Sequence, residues 1–148
     1  MKKLIYQVYT GKESKLYNAC TASVKLYADK IQADYIVQQE PILKIKPDTN
    51  NTNRSVESYQ KHGGFLPIYE KENAFGYLEE YDQVAIIDAD VYIRSNADDI
   101  FKQLNADYDF GAVVEKTMPV TAKYKRKLKI YSTEQYQELI NEADIAYD

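Results

Sequence analysis

Two aspartates, Asp88 and Asp90, come directly after an uninterrupted apolar run at residues 84–87. The run predicts a strand that is buried on both faces, as in the middle of a parallel sheet. If the extended conformation continued, the two carboxylates would share one face and could hold a single hard divalent cation. Ligands of open α/β sheets bind beyond the carboxyl ends of the strands, where this pair lies. The sequence therefore predicts a metal site at Asp88 and Asp90.

A structural role for the same pair is the alternative, because aspartate suits the turn after a strand and can cap the helix that follows. The next predicted helix already has a cap, since Ser95 and Asp98 have the spacing of a capping box. Its expected apolar stripe consists of Ala97, Ile100, Phe101 and Leu104. Capping therefore does not require Asp88 or Asp90, which favours the metal site.

Composition bounds the class of protein. With 148 residues, the chain is expected to form one domain over residues 1–148. The net charge of −4 gives no support to a nucleic-acid binder, which normally carries a basic face. The chain has no apolar run of membrane-spanning length, and Gln7 interrupts the start before a signal peptide could form. A cytoplasmic protein without a membrane span is expected.

The first forty residues predict a βαβ unit, with strands at residues 4–9 and 34–38 and a helix from about residue 14 to residue 30. The expected buried stripe of the helix is Leu16, Cys20, Val24 and Tyr27. Cys20 is accordingly predicted to be a small core residue rather than a nucleophile. A βαβ unit implies a parallel sheet, so the fold class is α/β, with a Rossmann-like, mostly parallel sheet flanked by helices.

Three further elements are predicted along the rest of the chain. A helix from about residue 67 to residue 81 should bury Ile68, Phe75 and Leu78. A fourth strand is expected at residues 108–115, which completes a core over residues 4–115. A basic run at residues 123–129 predicts a solvated face or a blunted sheet edge, and a last helix is expected from residue 132 to about residue 144.

Two basic or titratable side chains have more than one interpretation. Lys71 lies on the apolar stripe of its helix, either as a snorkelling lysine or as a cation that meets a phosphate in a cleft. His62 is the only histidine, and it lies beside Gly63 and Gly64 in an irregular stretch. A lone histidine in a loop is more often solvated than catalytic, so a solvated His62 is expected.

With these residues assembled, PIYEK at residues 67–71 followed by EEYDQVAIIDADVYI at residues 79–93 resembles GT-A-fold glycosyltransferases. Within that fold, the pattern is most similar to the N-terminal, nucleotide-sugar-binding half of the glycogenin and galactosyltransferase-like group (family 8-like). The resemblance covers roughly residues 4–115. It implies a transfer of a sugar from a nucleotide diphosphate donor to a hydroxyl acceptor, with Mn²⁺ or Mg²⁺ as the cofactor.

The resemblance also implies roles for individual residues. Asp88 and Asp90 would bind the metal, and Asp88 would also touch the ribose or sugar of the donor. Residues 9–11, namely Tyr9, Thr10 and Gly11, would line the nucleoside pocket at the end of the first strand. Lys71 would face the donor phosphates. No catalytic residue is implied, because the group's catalytic residues lie in a later half without a counterpart after residue 115.

Three functions stay open on this basis. The chain is either a metal-dependent glycosyltransferase or its donor-binding half, or it is a non-catalytic module that binds a nucleotide sugar or a partner. A phosphotransferase of the haloacid dehalogenase type is less favoured, since its Asp-x-Asp follows the first strand and precedes a Gly-Thr-like turn. Here Val91 and Tyr92 follow the motif instead.

Overall fold

A computed structural model describes residues 1–46, 57, 60, 62–104, 108–113, 120–130 and 133. The chain divides into two compact units, Met1–Ala106 and Asp107–Asp148. Compact substructures also occur within single domains, so one domain over residues 1–148 stays a prediction.

The first unit alternates strands and helices. In chain order the elements are strand β1 (Lys3–Val8), helix α1 (Lys15–Ile31), strand β2 (Asp34–Gln38), a 3-10 helix (Tyr69–Glu79), strand β3 (Gln83–Ile86) and a 3-10 turn (Ile100–Lys102). The strands form one parallel sheet in the order β2-β1-β3, in which Ile5 of β1 is opposite Tyr35 and Ala85. The expectation of an α/β fold with a parallel sheet flanked by helices is thereby confirmed at this level.

The centre of the sheet is β1, not the strand before the two aspartates. Residues 4–7 of β1 are at most 1% exposed, whereas Ile86 of β3 is 40% exposed. Among the described residues, β3 pairs with β1 alone, so the prediction of a central strand buried on both faces is wrong for β3. An apolar run shows that a strand packs against a core, but it does not show how many neighbours the strand has.

Alternation along β1 gives the first unit two apolar layers. Ile5 faces α1 and packs in a cluster with Val24, Tyr27, Ala28, Ile87 and Phe101. Tyr6 faces the opposite way and packs with Val8 and Ala74 beneath the 3-10 helix. Full burial of one large aliphatic or aromatic side chain contributes about 1.5–3 kcal/mol, so these two layers hold the sheet between its helices.

Helix α1 is close to its predicted span. It ends where Gln32 adopts a left-handed conformation, with φ of 56°. Three members of the predicted stripe, Cys20, Val24 and Tyr27, are buried, which confirms Cys20 as a core residue. Leu16 is 61% exposed, so the buried stripe begins one turn later than expected.

The 3-10 helix buries a different face from the one that was expected. Ile68, Phe75 and Leu78 are each more than half exposed, whereas Glu70 and Ala74 are completely buried. A 3-10 helix has three residues per turn, so a stripe expected from a period of 3.6 residues does not stay on one face. The predicted apolar stripe is therefore wrong, although a helical segment is present close to the predicted position.

Glu70 is the principal buried anion of the first unit. Its carboxylate accepts backbone N–H bonds from Ile42, Leu43 and Lys44, at 2.7, 3.1 and 2.8 Å. It also accepts side-chain amide bonds from Gln38 at 2.7 Å and from Asn73 at 3.1 Å. Burial by itself raises the pKa of Glu70, but the hydrogen bonds outweigh it and hold the pKa below its ordinary value of 4.5. Glu70 therefore stays ionised and ties together the end of β2, the following loop and the 3-10 helix.

A second carboxylate, Asp99, caps the 3-10 turn in place of the expected Ser95. The Asp99 carboxylate accepts the Phe101 N–H at 3.0 Å and pairs with the Lys3 ammonium at 3.0 Å. Burial alone raises the pKa of Asp99, but these two contacts outweigh it and lower the pKa from 3.8. The Ser95 carbonyl accepts a bond from Lys30 instead, so the predicted helix with a Ser95 capping box is wrong.

The second unit is described in two short stretches and at Thr133. Residues 108–113 are exposed and contain no strand, so the fourth strand is wrong for these residues. Residues 122–130 are helical, and the basic run lies exposed on this helix, as a solvated face rather than a sheet edge. Residues 114–115 and nearly all of the predicted last helix lie outside the described part of the chain. No described helix is both long and apolar enough to cross a membrane.

The substitution Glu70→Gln tests the buried carboxylate. Gln keeps the size of the side chain, but its amide cannot accept all the N–H bonds that the carboxylate accepts. We expect the free energy of unfolding to fall by about 2–4 kcal/mol, since hydrogen bonds to charged groups are worth about 1.5–3 kcal/mol each. Urea unfolding measures the loss. Glu72→Gln, at an exposed position of the same helix, is the control and should change stability by no more than about 0.5 kcal/mol.

Stability should fall at both ends of the pH range. Glu70 and Asp99 have lowered pKa values in the folded protein. Their contribution to the free energy of unfolding is therefore fully present above pH 4.5 and pH 3.8, respectively, and it is lost as the pH falls through the folded pKa values. Burial raises the pKa of Tyr6 and of Tyr35 from 10.0 to about 12, so their contribution is lost as the pH rises from 10.0 towards about 12. Urea unfolding at a series of pH values measures the loss at acidic and at alkaline pH. A free energy of unfolding that stays constant across both ranges would contradict these pKa shifts.

Candidate functional site

The two aspartates lie in a turn rather than in a continued strand. Ile87 still pairs with β1, since its N–H donates to the Tyr6 carbonyl at 3.0 Å. The Val91 N–H then donates back to the Asp88 carbonyl at 3.1 Å, which closes a turn around Ala89. The expectation that alternation along a strand puts both carboxylates on one face is therefore wrong. Both side chains are nevertheless exposed at the carboxyl end of β3.

Gln7 fixes the backbone of this turn. It is fully buried on β1, and its side-chain amide donates to the Asp88 carbonyl at 3.0 Å. The Tyr35 hydroxyl of β2 donates in turn to the Gln7 side-chain oxygen. A buried amide that is satisfied on both sides holds its neighbours in one arrangement, because any other leaves a polar group unpaired. Asp88 is therefore positioned by all three strands of the described sheet.

Lys71 meets the carboxylate of Asp88. Its ammonium comes from the 3-10 helix, one residue after the buried Glu70, and donates to an Asp88 oxygen in an ion pair. The Asp88 side chain is 55% exposed and the Lys71 side chain 33% exposed, so the pair is accessible to solvent. Of the two interpretations of Lys71, the contact favours a cation directed at the site. Asp90 has no side-chain hydrogen bond or ion pair with any residue that the structure describes.

The end of β1 supplies the other residues that were expected to bind the donor. Thr10 is buried, and Gly11 has φ of 125°, a conformation that favours glycine. The Tyr9 hydroxyl accepts the Ser14 N–H at 2.7 Å, so this ring helps to fix the start of α1. The carboxyl ends of parallel strands share one edge of a sheet, which puts Thr10 and Gly11 on the same edge as Asp88.

His62 is held at this edge, contrary to expectation. Its Nδ1 lies 2.6 Å from the Thr10 carbonyl oxygen, so Nδ1 carries the proton and donates. The prediction of a merely solvated histidine is therefore wrong. This contact brings the loop that contains Gly63 and Gly64 to the end of β1.

The donor set at Asp88 and Asp90 suits one kind of metal binding and not another. Within the described residues, no group of three or more His, Cys, Asp or Glu side chains could hold a metal ion. Two carboxylates alone do not make a closed structural site. They do fit a hard cation such as Mg²⁺, which is commonly held by one or two carboxylates together with substrate phosphates and water. The pair therefore fits a metal that is bound together with a phosphate ligand.

A separate cleft of about 430 Å³ lies between α1 and residues 92–95. Its walls are joined by the Ile93 N–H, which donates to the Ser23 hydroxyl at 3.0 Å, and by Lys30, which donates to the Ser95 carbonyl at 2.9 Å. Neither Asp88 nor Asp90 lines this cleft. We place the candidate site at Asp88, because Lys71 forms an ion pair with it there and the exposed Asp90 follows two residues later.

Sequence reasoning missed three residues that shape the site, namely Gln7, Glu70 and His62. Gln7 had one visible signal, since it is a polar residue within an otherwise apolar strand. Glu70 had none, because its main partners are backbone N–H groups. His62 carries no signal for its partner either, since the partner is a carbonyl fifty-two residues earlier.

Comparison with protein-family models, with curated proteins and with solved structures gave no match to this chain. The similarity to GT-A glycosyltransferases rests on the sequence motifs at residues 67–93 and stays a prediction.

Proposed function

We propose that this chain binds a nucleotide diphosphate sugar together with Mn²⁺ or Mg²⁺, as a glycosyltransferase or as the donor-binding half of one. One observation carries the proposal. An exposed carboxylate at the end of a parallel strand, Asp88, lies against the cation of Lys71, with a second carboxylate two residues later. An acidic and a basic side chain in contact, with a second carboxylate two residues along the chain, suit a ligand that combines a metal ion with phosphate groups.

The residues of the proposed site have different roles in binding. The carboxylates of Asp88 and Asp90 bind the cation, and Gln7 keeps the turn that carries them in place. Lys71 transfers its hydrogen bonds from Asp88 to the phosphate oxygens of the donor. Thr10 and Gly11, at the same edge of the sheet, lie against the nucleoside. When bound by these carboxylates, the metal would supply Lewis-acid stabilisation of the negative charge on the departing diphosphate.

The Lys71–Asp88 ion pair is weak enough to be replaced by contacts of Asp88 with a metal and of Lys71 with a diphosphate. Both side chains are partly exposed, and exposed ion pairs contribute only about 0–1 kcal/mol. A divalent cation at Asp88 and a diphosphate at Lys71 replace one attraction with two stronger ones. Metal and donor should accordingly bind together more tightly than either binds alone.

The proposal predicts metal-dependent binding of a nucleotide diphosphate sugar. Calorimetry with UDP- and GDP-linked sugars should show binding with Mn²⁺ and little binding after addition of a chelator. Affinity should fall on acidification, because the carboxylates bind metal only when they are ionised. Failure of every donor to bind in the presence of Mn²⁺ would overturn the proposal. Donor binding without hydrolysis or transfer would favour the binding module over the enzyme.

A matched pair of variants connects the result to the site. In the same titration, Asp90→Asn should weaken Mn²⁺-dependent binding at least about tenfold with an unchanged melting temperature, because a charged ligand is lost from an exposed turn. Asp29→Asn, at an exposed position on α1, removes the same charge and should bind the donor normally. Equal losses in the two variants would show an effect of net charge, and would contradict a site at Asp90.

A further inference from the structure

The helix at residues 122–130 carries a dense group of cations that the proposed function does not use. Five of its residues, which we call the basic cluster, are Lys123, Lys125, Arg126, Lys127 and Lys129. All five side chains are exposed. In the described part of the chain, no carboxylate forms an ion pair with any of them. The cluster thus presents five positive charges to the solvent from a chain whose net charge is −4.

The helix holds these charges in a defined array. Thr121 caps it, since the Thr121 hydroxyl accepts the Tyr124 N–H at 3.2 Å and the Thr121 carbonyl accepts the Lys125 N–H at 3.0 Å. At about 100° per residue, the five charges spread over roughly 200° of the helix surface. Cations four residues apart, such as Lys123 and Lys127, repel each other and weaken an isolated helix. An extended anionic surface would relieve that repulsion along the whole array.

Exposed apolar side chains in the same unit favour a lipid surface over a nucleic acid. Phe110 and Val113 are each 77% exposed, and Ile130, on the basic helix itself, is 60% exposed. Aromatic side chains stack on the bases of a nucleic acid, whereas Val and Ile gain little from contact with the bases. Aromatic and aliphatic side chains both insert favourably into the interface of a bilayer, and its anionic headgroups attract Lys and Arg.

We propose that the basic cluster attaches the protein peripherally to membranes that carry anionic lipid headgroups. The attachment is electrostatic in the first place, and the exposed apolar side chains of residues 108–113 add to it by entering the interface. The inference is independent of nucleotide-sugar binding, since it involves no residue of the Asp88 site.

Vesicle co-sedimentation tests the proposal on the full chain. Binding should be strong to phosphatidylcholine vesicles that contain phosphatidylglycerol, weak to phosphatidylcholine alone, and reduced by high salt. The triple variant Lys125→Gln, Arg126→Gln and Lys129→Gln should bind about a hundredfold more weakly, at roughly fivefold for each basic residue near the surface. Gln is a good helix former, so the helix should be kept, and circular dichroism checks this.

The matched control removes three exposed lysines from the first unit, by Lys12→Gln, Lys15→Gln and Lys25→Gln. This variant has the same net charge as the first and should keep its affinity for the anionic vesicles. Equal losses in both triple variants, or equal binding of the unmodified protein to neutral and anionic vesicles, would overturn the proposal. Tighter binding to a single-stranded RNA than to the vesicles would assign the cluster to nucleic acid and would overturn it as well.

Discussion

The first unit depends on one buried negative charge and on the hydrogen bonds that surround it. No described cation pairs with the carboxylate of Glu70, which is instead enclosed by three backbone N–H groups and two side-chain amides. A buried charge is tolerated only when it is fully hydrogen-bonded, so the loop at residues 42–44 has to wrap around Glu70 in one conformation. The same bonds fix the 3-10 helix against the end of β2. Lys71 is the next residue of that helix, so its position at Asp88 follows from the burial of Glu70.

A layer of buried polar side chains continues this constraint into the sheet. Gln38 donates to Glu70 and accepts a bond from the Tyr6 hydroxyl, and on the other face of β1 Gln7 holds the backbone of Asp88. Apolar residues at these positions would pack against the helices equally well, but they would not determine where the strands end. The polar layer lies at the carboxyl ends of β1 and β2, directly beside the candidate site. The fold and the site are thus positioned by the same set of hydrogen bonds.

Sequence periodicity predicted those elements that depend on local pattern. Strand β2 at Asp34–Gln38 is as expected, β1 and α1 differ by one residue at their ends, and the parallel sheet follows from the βαβ order. Periodicity failed where the neighbours of an element decide the result. The apolar run before Asp88 could not reveal that β3 pairs with one described strand, and residues 108–113 read as a strand although they are exposed.

The candidate site was predictable in part for the same reason. Asp88 was expected at the carboxyl end of its strand, where ligands bind, and it lies there. Lys71 was expected either as a snorkelling lysine or as a cation in a cleft, and its ion pair with Asp88 favours the second interpretation, although the pair itself was not predicted. The turn at Asp88 and the contact of His62 with Thr10 were not predictable, since both depend on backbone carbonyls as partners. Every residue has a backbone carbonyl group, so a sequence does not show which carbonyl will accept a hydrogen bond from a given side chain.

Paramagnetic broadening shows where Mn²⁺ binds a protein, and it therefore tests the proposed metal site at Asp88 and Asp90. Nuclear magnetic resonance spectra of the protein with a donor nucleotide sugar would be recorded during a titration with a small fraction of an equivalent of Mn²⁺. We expect the amide signals of residues 88–91 to broaden first, followed by those of Lys71 and Gly11. Earlier broadening at other exposed acidic residues, such as Glu79 and Glu80, would contradict it and would show that Mn²⁺ binds elsewhere.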